Sequence, residues 1–94
     1  MKVRYTPRAF HDREQILNYL RARSVSGALK VETRLDAAIR LLTEHPLAGT
    51  PTDLEGVRVL FVGRYPYKIF YRVRVDAVEI LVLRHTAREP SDME

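Results

Sequence analysis

At His45-Pro46 the hydrophobic period of the chain changes. Before this point apolar residues recur at three- and four-residue steps: Ala28, Val31, Leu35, Ala38 and Leu42, widened by Ile39. After Gly56 they alternate at a period of two, in "VRVLFV", "YKIFYRVR" and "AVEILVLR". The first pattern is that of an amphipathic helix and the second that of half-buried strands. A residue before proline resists the helical region, so His45-Pro46 ends the helix. The chain must therefore cover a sheet made by its second half with helices made by its first.

The N-terminal half divides again. "KVRYT" alternates Val3 and Tyr5 against Lys2 and Arg4, which reads as a short strand. Thr6-Pro7 reads as a helix start, with Thr6 as N-cap and Pro7 at the first helical position. Ala9, Phe10, Ile16, Leu17 and Leu20 form the apolar stripe of this first helix, which ends near "RARS". Ser24 or Ser26 caps the second. The short turn between them predicts an antiparallel helical hairpin. Pro46–Gly56, rich in proline, glycine and threonine, is a loop. Strands are expected at Val57–Val62, Tyr67–Arg74 and Ala77–Arg84, joined by turns at "GRYP" and "RVDA". The order gives an α+β fold: an N-terminal strand, then a helical hairpin on one face of a mostly antiparallel four-stranded sheet. Residues 1–88 form one domain, and 89–94, "EPSDME", an acidic C-terminal tail.

Alternation also assigns the faces of that sheet. Tyr67, Ile69, Tyr71 and Val73 should meet the helices, and Lys68, Phe70 and Arg72 should lie opposite. Arg58 on the neighbouring strand and Arg84 at the end of the last would join the open face. Charge points the same way. Arg58 to Arg88 holds seven basic and two acidic residues, a net +5 within a chain of net +4. Such a field suits nucleic acid or an acidic protein surface, or serves only solubility. With no cysteine, disulfides, zinc–thiolate centres and thiol nucleophiles are excluded, and a cytoplasmic location is expected. "MKVRYTPRAF" has no apolar core of a signal peptide. No apolar run reaches the roughly 20 residues of a membrane span, so no membrane partner is expected.

Among candidate catalytic groups, His85 has the side chain suited to proton transfer near neutral pH. Arg84 and Arg88 beside it could hold a phosphate. Equally, His85 could simply close the strand by bonding backbone. His11 and His45 lack metal-ligand neighbours at useful spacing, and the isolated glycines form no phosphate loop. No metal or other cofactor is expected. Tyr67 and Tyr71 fit core packing better than base stacking.

"HPLAGTP", "GVRVLFVGRYPYKIFYRV" and "VEILVLRHTAR", in that order, resemble the RelE/ParE superfamily of toxins from bacterial type II toxin–antitoxin pairs. The resemblance implies one of two activities. RelE-like members are ribosome-dependent mRNA endonucleases; here that would use His85, Arg84 and Arg88 on ribosome and mRNA. ParE-like members poison DNA gyrase by binding, here through Arg58, Lys68, Arg72 and Arg84. "YPYKIFYRV" and "ILVLRHTAR" are closer to ParE. Leu60, Lys68 and the tyrosine-free tail depart from the RelE-like set. The resemblance further implies a cognate, ParD-like antitoxin in a toxin–antitoxin hetero-oligomer.

Overall fold

A computed structural model describes residues 1–86. Arg88 and the acidic tail, residues 89–94, lie outside the described residues. The elements are β1 (Lys2–Tyr5), α1 (Pro7–Arg23), α2 (Val25–Glu44), β2 (Thr50–Pro51), β3 (Val57–Phe61), β4 (Tyr67–Val73) and β5 (Ala77–His85). The two helices pack on one face of a five-stranded sheet of order β1-β5-β4-β3-β2. Only β1, against β5, is parallel; the other pairs are antiparallel.

Thr6 caps α1, its hydroxyl accepting the Ala9 N–H at 3.0 Å, with Pro7 in the first turn. One residue, Ser24, ends α1 and starts α2. Its N–H donates to the Leu20 carbonyl, and its hydroxyl accepts the Gly27 N–H at 3.0 Å. So tight a link fixes the hairpin as antiparallel. The stripe of α2 buries Ala28, Val31, Leu35, Ile39 and Leu42. On α1 only Ala9 and Leu17 are fully buried, with Ile16 and Leu20 at the margin. Phe10, expected in this stripe, is instead 56% exposed. Arg13 ties the layers together. It donates to the Tyr5 hydroxyl on β1 at 3.1 Å and to Asp36 on α2 at 2.8 Å.

Two features of the sheet depart from the expected outline. The loop 46–56 adds a fifth, two-residue strand, β2, pairing Thr50 with Val59 and Pro51 with Arg58. The strand β5 contains a bulge: Phe70 opposes Val82 and Tyr71 opposes Ile80, leaving Leu81 as the extra residue. A bulge reverses the side-chain phase of the strand beyond it. Thus Val78 and Ile80 face the helices before the bulge, and Leu83 and His85 after it.

Candidate functional site

The inner face of β4 is as alternation predicts. Tyr67, Ile69 and Tyr71 are buried under the helices, and Val73 packs at the margin. Directly opposed residues of an antiparallel pair share a face, so the register then assigns every other strand. Lys68 opposes Phe61 and Arg84; Phe70 opposes Val59 and Val82; Arg72 opposes Val57 and Glu79. These residues form the outer face. Its centre is an apolar row of half-buried Val59, Phe70 and Val82.

Arg58 is not on this face. It opposes Tyr71, an inward residue, so the same register turns it toward the helix side. There it donates to the Gly49 carbonyl at 2.7 Å and to the Leu47 carbonyl at 3.5 Å. Tyr71, fully buried, works beside it: its hydroxyl donates to the Pro46 carbonyl at 2.7 Å and accepts the Gly49 N–H at 2.9 Å. The expectation that Arg58 joins an open cationic surface is therefore corrected. Its charge stabilises the loop after α2. Gly49 is required where that loop passes the sheet, because a Cβ would lie 2.7 Å from the Val59 carbonyl oxygen and 2.8 Å from the Tyr71 ring.

The two ends of the outer face differ in charge. At the Arg72 end, Arg74 pairs with Glu79 at 3.4 Å and Arg4 with Asp76 at 3.4 Å. At the other end lie Lys68, Arg64 in the β3–β4 turn, and Arg84. No acidic residue among the described residues is ion-paired to Lys68 or Arg64. Phe61 beside Lys68 is 59% exposed, and the Lys68 ammonium stands 5.6 Å from the centre of the Phe70 ring. Arg84, 8% exposed, is the buried member of this group.

Arg84 and His85, adjacent on β5, point to opposite faces by alternation, and the bulge decides which faces which way. Arg84 opposes Lys68 on the outer face, whereas His85 opposes Tyr67 on the helix side, their rings edge-to-face at 5.5 Å. His85 and Arg84 both line a cleft of about 750 Å³ between α1 and the ends of β4 and β5, with Asp12, Gln15, Tyr19 and Tyr67. Burial raises the pKa of Tyr67, because ionising it would put a charge in a poorly solvated site. The strand β1 stops opposite Ile80, and α1 takes over the vacated edge of β5. The Thr6 hydroxyl donates to the Leu81 carbonyl at 3.1 Å, and the Asp12 carboxylate accepts the Leu83 N–H at 3.1 Å. Asp12 was not singled out in the sequence. A carboxylate one turn inside a helix carries no mark that it will bond a strand edge.

A helical hairpin over one face of a mostly antiparallel sheet is the fold this chain shares with solved structures of ParE and YoeB toxins. Comparison with known proteins gives the family. The model of the family described as the ParE toxin of the type II toxin–antitoxin system parDE matches residues 3–90, and the chain belongs to this family. "Putative toxin Y4kP" of Sinorhizobium fredii is 32% identical over 88 residues, covering 94% of this chain and 91% of that one. A structure titled "Chromosomal ParDE TA system from P. aeruginosa" superposes with a TM-score of 0.78 at 25% identity, covering 90% of this chain and 95% of the other. The "YoeB/ParE toxin from Agrobacterium tumefaciens" shares the fold, with a TM-score of 0.64 at 19% identity over 90% of this chain and 98% of that chain.

Proposed function

We propose that this type II toxin acts in the cytoplasm by binding DNA gyrase through the Lys68 end of its outer sheet face, and that a cognate, ParD-like antitoxin neutralises it. The observation supporting binding over cleavage is the separation of His85 from Lys68 by the sheet itself; Arg84, which lines the cleft with His85, is buried. A metal-independent mRNA nuclease needs a proton-transfer group and phosphate-stabilising cations around one reacting phosphate, each within hydrogen-bond reach. Here the histidine and Lys68, the half-exposed cation of the outer face, lie on opposite sides of the sheet. Binding needs no such convergence. It needs exposed apolar area with flanking charge, which Phe61, Phe70, Lys68 and Arg64 provide. Arg72 contributes at the margin of this surface, and Arg84, opposite Lys68, is buried beside it. The cation–apolar combination also suits an acidic antitoxin segment that folds on its partner.

The test is a paired assay on the purified protein, gyrase supercoiling and cleavage of mRNA on programmed ribosomes. Gyrase inhibition that survives His85→Gln and is lost in Lys68→Glu is the expected result. Ribosome-dependent cleavage abolished by His85→Gln, with supercoiling untouched, would replace this reading by the endonuclease one.

A further inference from the structure

The positive charge of this chain gathers on one face, and the register shows which. On β1, Val3 opposes Val78 and Tyr5 opposes Ile80, both inward residues, so Lys2 and Arg4 stand on the outer face. With Lys68 and Arg72 on β4, the strands turn four cations outward against one carboxylate, Glu79. Arg84 is buried and does not join this set. The turns add Arg64 and Arg74 against Asp76. Both carboxylates are engaged, Glu79 by Arg74 and Asp76 by Arg4. Lys2, Arg64, Lys68 and Arg72 make no ion pair among the described residues. The helices, by contrast, are nearly balanced, with seven basic and five acidic residues. The Arg72 end is the less basic one. Arg72 Nε lies 3.7 Å from where a Cβ on Gly56 would stand, and Glu55 precedes that glycine. The uncompensated charge is thus strongest around Lys68 and Arg64.

Charge alone would suit any polyanion, and the rings narrow the choice. Phe61 stands directly opposite Lys68 and is 59% exposed. Phe70 is one row further along β4, its ring centre 5.6 Å from the Lys68 ammonium. The two phenylalanines are diagonal neighbours on adjacent strands, about 7–8 Å apart along the backbone. An aromatic ring left this exposed adds little to the core, whereas two such rings beside cations make a stacking platform. A duplex offers phosphates but keeps the faces of its bases stacked inside. A single strand offers phosphates and open base faces together, which are the two groups this face can meet.

We infer that the outer sheet face binds a single strand of nucleic acid directly, without cleaving it. Bases stack on Phe61 and Phe70, and Lys68, Arg64 and Arg72 hold the phosphates. The inference goes beyond the gyrase reading and does not need it, since neither gyrase nor ribosome takes part. Purified toxin would be titrated into a labelled thymidine strand of about twelve nucleotides, followed by fluorescence anisotropy. A uridine RNA strand, a DNA duplex and polyglutamate complete the set. The strands should bind more tightly than the duplex. Log affinity should fall with log salt at a slope of about −2 to −3, for three or four phosphates neutralised. Lys68→Ala should reduce that slope by about 0.7. Phe61→Leu, which keeps apolar area and removes the ring, should weaken binding about tenfold with the slope unchanged. Phe61→Tyr should restore wild-type affinity, and the melting temperature of each variant checks its folding. Tighter binding of DNA or of RNA sustains the inference and names the source of the strand. A duplex bound as tightly as the strands would overturn it. So would polyglutamate displacing the strand charge for charge, wild-type affinity in Phe61→Leu, or no binding of either strand at low salt. A toxin that leaves supercoiling untouched would refute the gyrase reading and leave this one standing.

Discussion

Arg58 on β3 and Lys68 on β4 stand on adjacent strands, and the register sends them to opposite faces. Arg58 reaches two backbone carbonyls and holds a loop. Lys68 has an aromatic ring beside it and no carboxylate among its described neighbours. A cation brought to the packed side of a sheet must find acceptors, or its desolvation is unrepaid. A cation on the outer face keeps its water and needs none. Burial and bonding account for Arg58 through folding alone. They give Lys68 no structural task, and a half-exposed cation set on an apolar row is what a binding surface requires.

The contrast between inner and outer face can be broken by measurement, and the largest effect belongs to the inner layer. Leu35→Ala, at a fully buried position of α2, should cost about 2–5 kcal/mol in a denaturant melt. An unchanged midpoint would mean that the helix layer does not hold the sheet. Next comes the loop clamp. Arg58→Ala leaves the Gly49 carbonyl without its charged donor and should cost about 1–3 kcal/mol. If Arg58→Ala unfolds no more easily than wild type, Arg58 returns to the list of surface cations.

How much of this was open to sequence reading depends on what each feature is made of. The helices were readable because period, caps and the proline stop agree on the same boundaries. The inner face of β4 was readable because Tyr67, Ile69 and Tyr71 alternate cleanly against Lys68 and Phe70. The face of Arg58 was not, because alternation within a strand says nothing of which parity opposes its neighbour. That is set by the β3–β4 turn, where Gly63 takes a positive φ of 53°. The bulge at Leu81 was hidden for another reason. "EILVLRH" contains no glycine or proline to mark an extra residue, so nothing in it shows that Arg84 rather than His85 takes the outer face. The two-residue β2 is too short to show any period. The outer face was thus half visible: its lysine and phenylalanine could be placed, but the division of its charges into a paired end and an open end required the register.

A weaker effect should appear at alkaline pH. Burial raises the pKa of Tyr5, partly opposed by the neighbouring Arg13 guanidinium. The folded state therefore holds the phenolic proton more tightly than the unfolded chain does. The associated stability is complete below the ordinary tyrosine range, about 10, and is lost as pH rises through the higher folded value. Tyr5→Phe removes this titration and the hydrogen bond from Arg13 together. Melts of wild type and Tyr5→Phe should converge as pH rises beyond that range. Parallel curves throughout would show that the contact between β1 and α1 does not sense the charge.

The smallest expected stability change belongs to Lys68→Ala, and for that reason it sharpens the contrast most. Lys68 is half-exposed and makes no ion pair among the described residues, so its removal should shift stability by no more than about 1 kcal/mol. Its cation–π contact with Phe70 is of similar size at an exposed site, about 0.5–1 kcal/mol at most. Arg58→Ala and Lys68→Ala should then form a crossed pair. The first lowers the melting temperature and spares target binding at temperatures where the protein stays folded. The second leaves the melting temperature alone and weakens target binding, with a steeper loss as salt is raised in the wild type than in the variant, since one screened charge has been removed. Equal effects of the two variants on both readouts would mean that the faces of this sheet are not divided between folding and recognition.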